Sequence, residues 1–160
     1  ASLNIFGLAI GLATSIFIFL YVINELSSSV SLVMQNPGTQ AYEILQNLST
    51  LPEGFLGENT CADIHISPDG NFLYASNRGD DSIAIFAVDG PSGTLKALGH
   101  ESVRGETPRN FSLSPDGQFL VVANQDTNNL VSFRRDPQTG LLDYVDAITA
   151  PTPVCILFAP

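Results

Sequence analysis

Positive charge is scarce in this chain. Six Lys and Arg stand against sixteen Asp and Glu in 160 residues, a formal net charge of −10, and none of the six precedes Arg78. An acidic surface of this kind repels phosphate backbones and argues against nucleic acid and anionic membranes as partners. Tryptophan is absent, methionine occurs once and cysteine twice. Two cysteines are too few for a disulfide scaffold, and neither Cys61 nor Cys155 has other His or Cys residues at ligand spacing, so no metal site is indicated. Also missing beyond residue 18 is the i, i+3, i+4 apolar spacing of amphipathic helices, which excludes helical repeats.

What the sequence does have is a tandem repeat. Ser67-Pro-Asp-Gly-Asn-Phe-Leu-Tyr-Ala-Ser-Asn77 returns as Ser114-Pro-Asp-Gly-Gln-Phe-Leu-Val-Val-Ala-Asn124, and the 47-residue register continues through Phe86/Phe133, Asp89/Asp136, Gly93/Gly140 and Leu95/Leu142. Within the first unit, Ala62–Ser67, Phe72–Asn77, Ser82–Val88 and Thr94–His100 read as strands, with Pro68-Asp69-Gly70 and Asp89–Gly93 as turns. The second unit repeats them at Arg109–Ser114, Phe119–Asn124, Leu130–Arg135 and Leu141–Ala147. Four strands in a period near 40–45 residues define a β-propeller blade. A third copy begins upstream at Phe19–Asn24, and Thr152–Pro160 repeats Thr107–Pro115, so that the chain is expected to stop inside a first strand. The fold class is therefore all-β, with about three four-stranded antiparallel blades of a ring that normally needs about four to eight. Further blades of the same protein are expected partners, and exposed blade faces favour self-association. Cys61 and Cys155 open first strands two blades apart, too distant for a mutual disulfide, which points to a reduced cytoplasmic setting.

Residues 1–18 break the pattern. Ile5–Ile23 is uncharged and strongly apolar, near the length of a spanning helix, which makes a membrane anchor through residues 5–23 the alternative to a cytoplasmic chain. Against it, Phe19–Asn24 already belongs to a blade strand and no basic flank is present. A shifted translation frame is the other reading: codons for Gly7-Leu-Ala-Ile-Gly11 can spell Pro-Arg-His-Trp, placing near Ala9 an arginine like that of Pro108-Arg109. The chain then divides into residues 1–18 of uncertain origin and 19–160, the blades.

Tyr21-Val-Ile-Asn-Glu-Leu26, Gly57-Glu-Asn-Thr-Cys-Ala-Asp-Ile-His65, Ser67-Pro-Asp-Gly70, Ala75-Ser-Asn-Arg78, Thr107-Pro-Arg-Asn110 and Ala123-Asn-Gln125 occur in order. Together they resemble the carboxy-terminal part of the seven-bladed propeller lactonases, which include bacterial 6-phosphogluconolactonases of the propeller type and fungal carboxy-muconate cyclases. The resemblance implies hydrolysis of a sugar lactone, or the lactone-forming cyclisation of a muconate, with a small lactone or sugar acid as ligand and no obligatory metal or organic cofactor. It also implies that an arginine from a Pro-Arg segment and the glutamate of the next Asn-Glu segment act together. Glu25 occupies the second position, whereas the first, near Ala9, is not arginine here.

Blade geometry places the polar candidates independently. A first strand starts at one mouth of the channel and the second strand returns to it, so Arg109 and Asn110 are expected beside Glu25, Arg78 and Gln125, with His65 following on the middle blade. An arginine fork suits a carboxylate or phosphate, and a neighbouring carboxylate can orient water or transfer a proton. The catalytic candidates are Glu25, Arg109 and His65; the substrate-binding candidates are Arg78, Asn110 and Gln125. His65 could instead hydrogen-bond within the channel wall. Asn24, Asn77 and Asn124 recur in every blade and read as turn or inter-blade bonders, and Asp69 and Asp116 as turn residues. A catalytically silent propeller arc that binds a protein partner is the reading from a different class.

Overall fold

The computed structural model describes residues 18–159, which form strands and turns. The first sheet contains β1 (Ile18–Asn24), β2 (Ser29–Gln35) and β3 (Tyr42–Ser49). The second contains β4 (Thr60–Ile66), β5 (Phe72–Arg78), β6 (Ser82–Val88) and β7 (Leu95–Ser102). The third contains β8 (Pro108–Leu113), β9 (Phe119–Asn124), β10 (Asn129–Arg135) and β11 (Leu142–Thr149). Each sheet is an antiparallel meander in chain order, the blade that the repeat predicts. Strand bounds agree with the sequence reading to within two residues. No helix among the described residues is long and apolar enough to cross a membrane.

The first sheet has three strands among the described residues, and the apolar run up to residue 17 and the arginine position near Ala9 lie outside them. One expectation meets a different outcome. Residues 153–159 form no ladder, because a first strand is held by the second strand of its own sheet and the described residues supply none. That segment is instead fastened sideways, Ile156 N–H donating to Asn110 Oδ1 at 2.6 Å.

The repeated Ser-Pro-Asp-Gly turns close identically. Ser67 Oγ and the Asn71 N–H donate to Asp69 Oδ1, and Ser114 Oγ and the Gln118 N–H donate to Asp116 Oδ1. Each serine oxygen also accepts the N–H that starts the next strand, Phe72 at 3.0 Å and Phe119 at 2.9 Å. These Asp side chains therefore build turns, as their recurrence implies.

The middle sheet is covered on both faces. Leu73, Ala75, Ala84 and Phe86 pack with Val30, Tyr21 and Ile23 of the first sheet. Phe72, Tyr74, Ile83 and Ile85 pack with Phe111, Leu120, Val122 and Phe133 of the third. This is period-2 alternation with both faces apolar, and burying each large side chain contributes about 1.5–3 kcal/mol. Polar seals overlie this packing. Tyr21 Oη donates to Gly93 O (2.7 Å) and Tyr74 Oη to Gly140 O (2.8 Å). Burial pushes the Tyr74 phenol up to about 12, so it remains a donor throughout the physiological range. Both glycines have positive φ, and a Cβ at Gly93 would stand 2.9 Å from the Phe19 ring; one at Gly140 would come closer still to Phe72. Asn77 Nδ2 bonds Thr50 O (2.7 Å) and Asn124 Nδ2 bonds Val103 O (2.9 Å), each reaching the residue that follows the last strand of the preceding sheet.

At the opposite rim, Arg135 joins the third sheet to the second. Its Nη2 lies 2.7 Å from Asp69 Oδ2, its Nε donates to Gly117 O at 2.7 Å, and its guanidinium covers the Phe72 ring. Partial burial pushes the Asp69 carboxyl up, but Ser67, the Asn71 N–H and Arg135 outweigh it and hold the group below its usual range. Such a contribution is complete above the unfolded value near 3.9 and is lost as pH falls through the folded value. Arg135→Ala is expected to lower the unfolding free energy by about 3 kcal/mol at neutral pH. The urea midpoint of the unaltered chain should fall as pH drops below about 4, with a smaller acid sensitivity in Asp69→Asn.

Candidate functional site

The site forms where the first, second and third sheets bring strand ends to one rim. Glu25 follows β1, Arg78 ends β5, and Arg109 lies at the start of β8. With Cys61 and Ala62 they line a cleft of about 140 Å³. The antiparallel register explains the convergence, since Thr60 at the start of β4 pairs with Arg78 at the end of β5.

The Cys61 peptide organises this cleft. Its N–H donates to Glu25 O at 2.9 Å, fixing the backbone of the first sheet to the second. Its carbonyl accepts Arg78 Nη2 at 2.9 Å, and the same nitrogen reaches Glu25 Oε1 at 2.5 Å. The Glu25 side chain is 62% exposed and that of Arg78 only 16%, so the carboxylate extends into solvent while its guanidinium partner is anchored. Arg78 Nε is buried without a protein partner among the described residues. Arg109 is exposed and forms no ion pair among the described residues. The cleft thus contains one neutralised arginine and one free arginine.

Below it the Cys61 thiol is fully buried, 3.2 Å from Thr50 Oγ1, which donates to Asn77 Oδ1 at 2.7 Å. Burial pushes this thiol up, outweighing the Thr50 and Ser28 hydroxyls and the charge of Arg78.

The remaining sequence candidates are placed elsewhere. His65 lies further along β4, its Nε2 3.1 Å from Asp63 Oδ2 and its ring edge-on to Phe111 at 4.9 Å. Asn110 is engaged on both sides, donating to Asp63 Oδ2 at 2.5 Å and accepting the Ile156 N–H. Gln125 stands one sheet beyond Arg78 in the equivalent position, is half-buried, and donates its N–H to Thr107 O at 3.0 Å. None of these three lines the cleft of Glu25 and Arg109. Asp63, which is not among the sequence candidates, gathers this second cluster, since it also accepts the Phe111 N–H at 3.2 Å. Its carboxyl is pushed up by partial burial and, more strongly, held down by His65 and the Phe111 and Ile64 N–H groups, for a net lowering. The 47-residue register could have exposed Ala62 and Asp63, which stand where Arg109 and Asn110 stand one unit later. Among the described residues no group of three or more His, Cys, Asp or Glu side chains could hold a metal ion.

Meander sheets stacked face to face, with their polar strand ends on a common rim, are the blades of a β-propeller. A family model described as lactonase, 7-bladed beta-propeller, matches residues 18–158. The chain belongs to that lactonase family. A Bacillus subtilis 6-phosphogluconolactonase is 39% identical over 141 residues, 88% of this chain and 40% of the relative. A Formosa agariphila 6-phosphogluconolactonase is 51% identical over 94 residues, 58% of this chain and 26% of the relative. The structure of a Pseudomonas aeruginosa periplasmic gluconolactonase superposes with a TM-score of 0.80 at 36% identity, covering 88% of this chain and 40% of that one. The chain thus spans well under half the length of these relatives.

Two measurements check the geometry of the cleft. Arg109→Ala should alter the unfolding free energy by no more than about 0.5 kcal/mol, as for an exposed side chain with no ion pair among the described residues. Arg78→Ala should cost about 2 kcal/mol, because the Cys61 carbonyl and Glu25 lose a charged donor. With a thiol reagent, the native chain should react at the exposed Cys155 alone, and Cys61 only after unfolding.

Proposed function

We propose that this chain contributes three blades to a propeller that opens a sugar lactone, 6-phosphogluconolactone or a close relative, at the rim carrying Glu25, Arg78 and Arg109. The observation that carries this reading is the unequal state of the two arginines in one cleft. Arg78 is committed to Glu25 and Cys61, and orients the carboxylate. Arg109 has no ion pair among the described residues, and a guanidinium fork so placed suits the phosphate or carboxylate of a sugar acid derivative.

The chemistry follows from those roles. Glu25 accepts a proton from a water molecule as the water oxygen bonds to the lactone carbonyl carbon, and the ring C–O bond then breaks with the proton delivered to the departing ring oxygen. Arg109 holds the substrate anion, and the uncommitted Arg78 Nε–H is a further donor beneath the cleft. His65, bonded to Asp63, is assigned to the wall beside the site. The names borne by relatives that match 88% of the chain support the lactone as ligand. The separate placement of a buried Cys61 and an exposed Cys155 supports a cytoplasmic location for this chain.

In a complete ring that carries these sheets, Glu25→Gln and Arg109→Ala are each expected to reduce lactone opening about a hundredfold. Turnover is measured above spontaneous hydrolysis, with circular dichroism to verify the fold. Full activity in both variants would move the chemistry to another part of the ring.

A further inference from the structure

Arg109 stands at a break in the ladder of its own sheet. Pro108 pairs with Asn124 and Asn110 with Ala123, so Arg109 is the extra residue of a bulge, and the proline before it has no N–H to give to the neighbouring strand. A bulge turns a side chain out of the regular alternation, and bulges gather beside active sites for that reason. Pairing resumes only at Asn110, and there a second grip comes from the neighbouring sheet. Asp63 Oδ2 accepts Asn110 Nδ2 at 2.5 Å and the Phe111 N–H at 3.2 Å, holding the two residues that follow Arg109.

Asp63 is itself fixed before it reaches across. The second sheet has a matching register shift that sets Ala62 and Asp63 opposite Ser76, and Ala62 lines the cleft with Arg109. The Asp63 N–H donates to Ser76 Oγ at 3.1 Å, Oδ1 accepts the Ile64 N–H at 2.9 Å, and His65 Nε2 lies 3.1 Å from Oδ2. Joining two sheets does not by itself call for a charge. One sheet further on, Asn110 Oδ1 makes the same reach to the Ile156 N–H at 2.6 Å with an amide. At position 63, however, donors approach both oxygens, and an ionised carboxylate is acceptor-only. Whichever way its amide turned, an asparagine here would set an NH2 group against an N–H donor.

We propose that Asp63 is a positioning residue for Arg109: its carboxylate lies outside the cleft and holds the bulge so that the Arg109 guanidinium is presented to the anion bound there. This rests on the reading of Arg109 as the residue that holds the substrate anion. A carboxylate of the second sheet thus sets the aim of a cation on the third, and a small displacement of such a clamp weakens binding out of proportion to its size. Arg78 is anchored differently, on Cys61 O and Glu25. Loss of Asp63 therefore loosens one arginine of the cleft and spares the other.

A double-mutant cycle in a complete ring that carries these sheets tests it, with the unaltered ring, Asp63→Ala, Arg109→Ala and both together. Asp63→Ala should raise KM for 6-phosphogluconolactone about tenfold while kcat stays within about twofold. In the Arg109→Ala background it should cost no more than about a further twofold, because the group it positions is gone. Losses that multiply would overturn the proposal, as would a lower kcat at unchanged KM, the mark of a smaller folded fraction. Backbone amide relaxation by NMR supplies a readout that needs no turnover. The Arg109 N–H should have an order parameter of about 0.85 in the unaltered ring and fall below about 0.6 in Asp63→Ala, with the Arg78 N–H unchanged. An Arg109 that stays as rigid without Asp63 sinks the proposal, whatever the ring does to lactones. If the unaltered ring opens no lactone, the lactonase reading of the site fails and the relaxation comparison alone decides. Should Asp63→Ala not fold, Asp63→Asn keeps the volume, opposes one donor, and carries the same comparisons with smaller shifts in the same directions.

Discussion

Stacked sheets cannot share a continuous hydrogen-bond ladder, and this constraint governs the rest of the molecule. Each sheet ends its pairing at its own edge, so main-chain groups at the junctions must find side-chain partners or remain unsatisfied at a cost of about 1–3 kcal/mol each. Tyr21, Tyr74, Asn77 and Asn124 each donate to a carbonyl of a neighbouring sheet, and Gln46 caps both the N–H and the C=O of Leu95. The repeating motif is thus a set of polar reach-overs laid on an apolar sandwich.

The site is a local departure from that scheme. At the rim the Cys61 peptide bonds directly to the backbone of the first sheet, and its other end anchors an arginine. A main-chain link of this kind positions Glu25 more firmly than a flexible side chain could, while leaving its carboxylate in solvent. Chemical individuality then comes from single substitutions at equivalent places: Glu25, Arg78 and Gln125 after or at the end of the second strands, Ala62 and Arg109 near the start of the first strands.

Much of this was legible in the sequence, and for a physical reason. The repeated Ser-Pro-Asp-Gly turn and the alternation in Phe72–Asn77 are local signals, so the strands and their order could be read directly. The convergence of Glu25, Arg78 and Arg109 followed from which strand ends share a rim. Contacts between units were harder. Nothing about Arg135 marks it as the partner of Asp69, 66 positions away, because that pairing depends on how two sheets are rotated against each other. Asn110 adjoins Arg109 in sequence, yet successive residues of a strand point to opposite faces, and its side chain serves Asp63 of the neighbouring sheet. At Cys61 a sequence displays the thiol, whereas the backbone N–H and carbonyl make the contacts that shape the cleft.

The meander topology also has a kinetic meaning. Every ladder joins consecutive strands, so each sheet can assemble through short loop closures before any neighbour is present, whereas the seals on Gly93, Gly140, Thr50 and Val103 require whole sheets to meet. Formation of a blade and docking of a blade are then separable events, and the slow, committing step belongs to docking. In such an array the middle sheet, gripped from both sides, unfolds last, and the rim bearing Glu25 gains its rigidity only when the second sheet arrives.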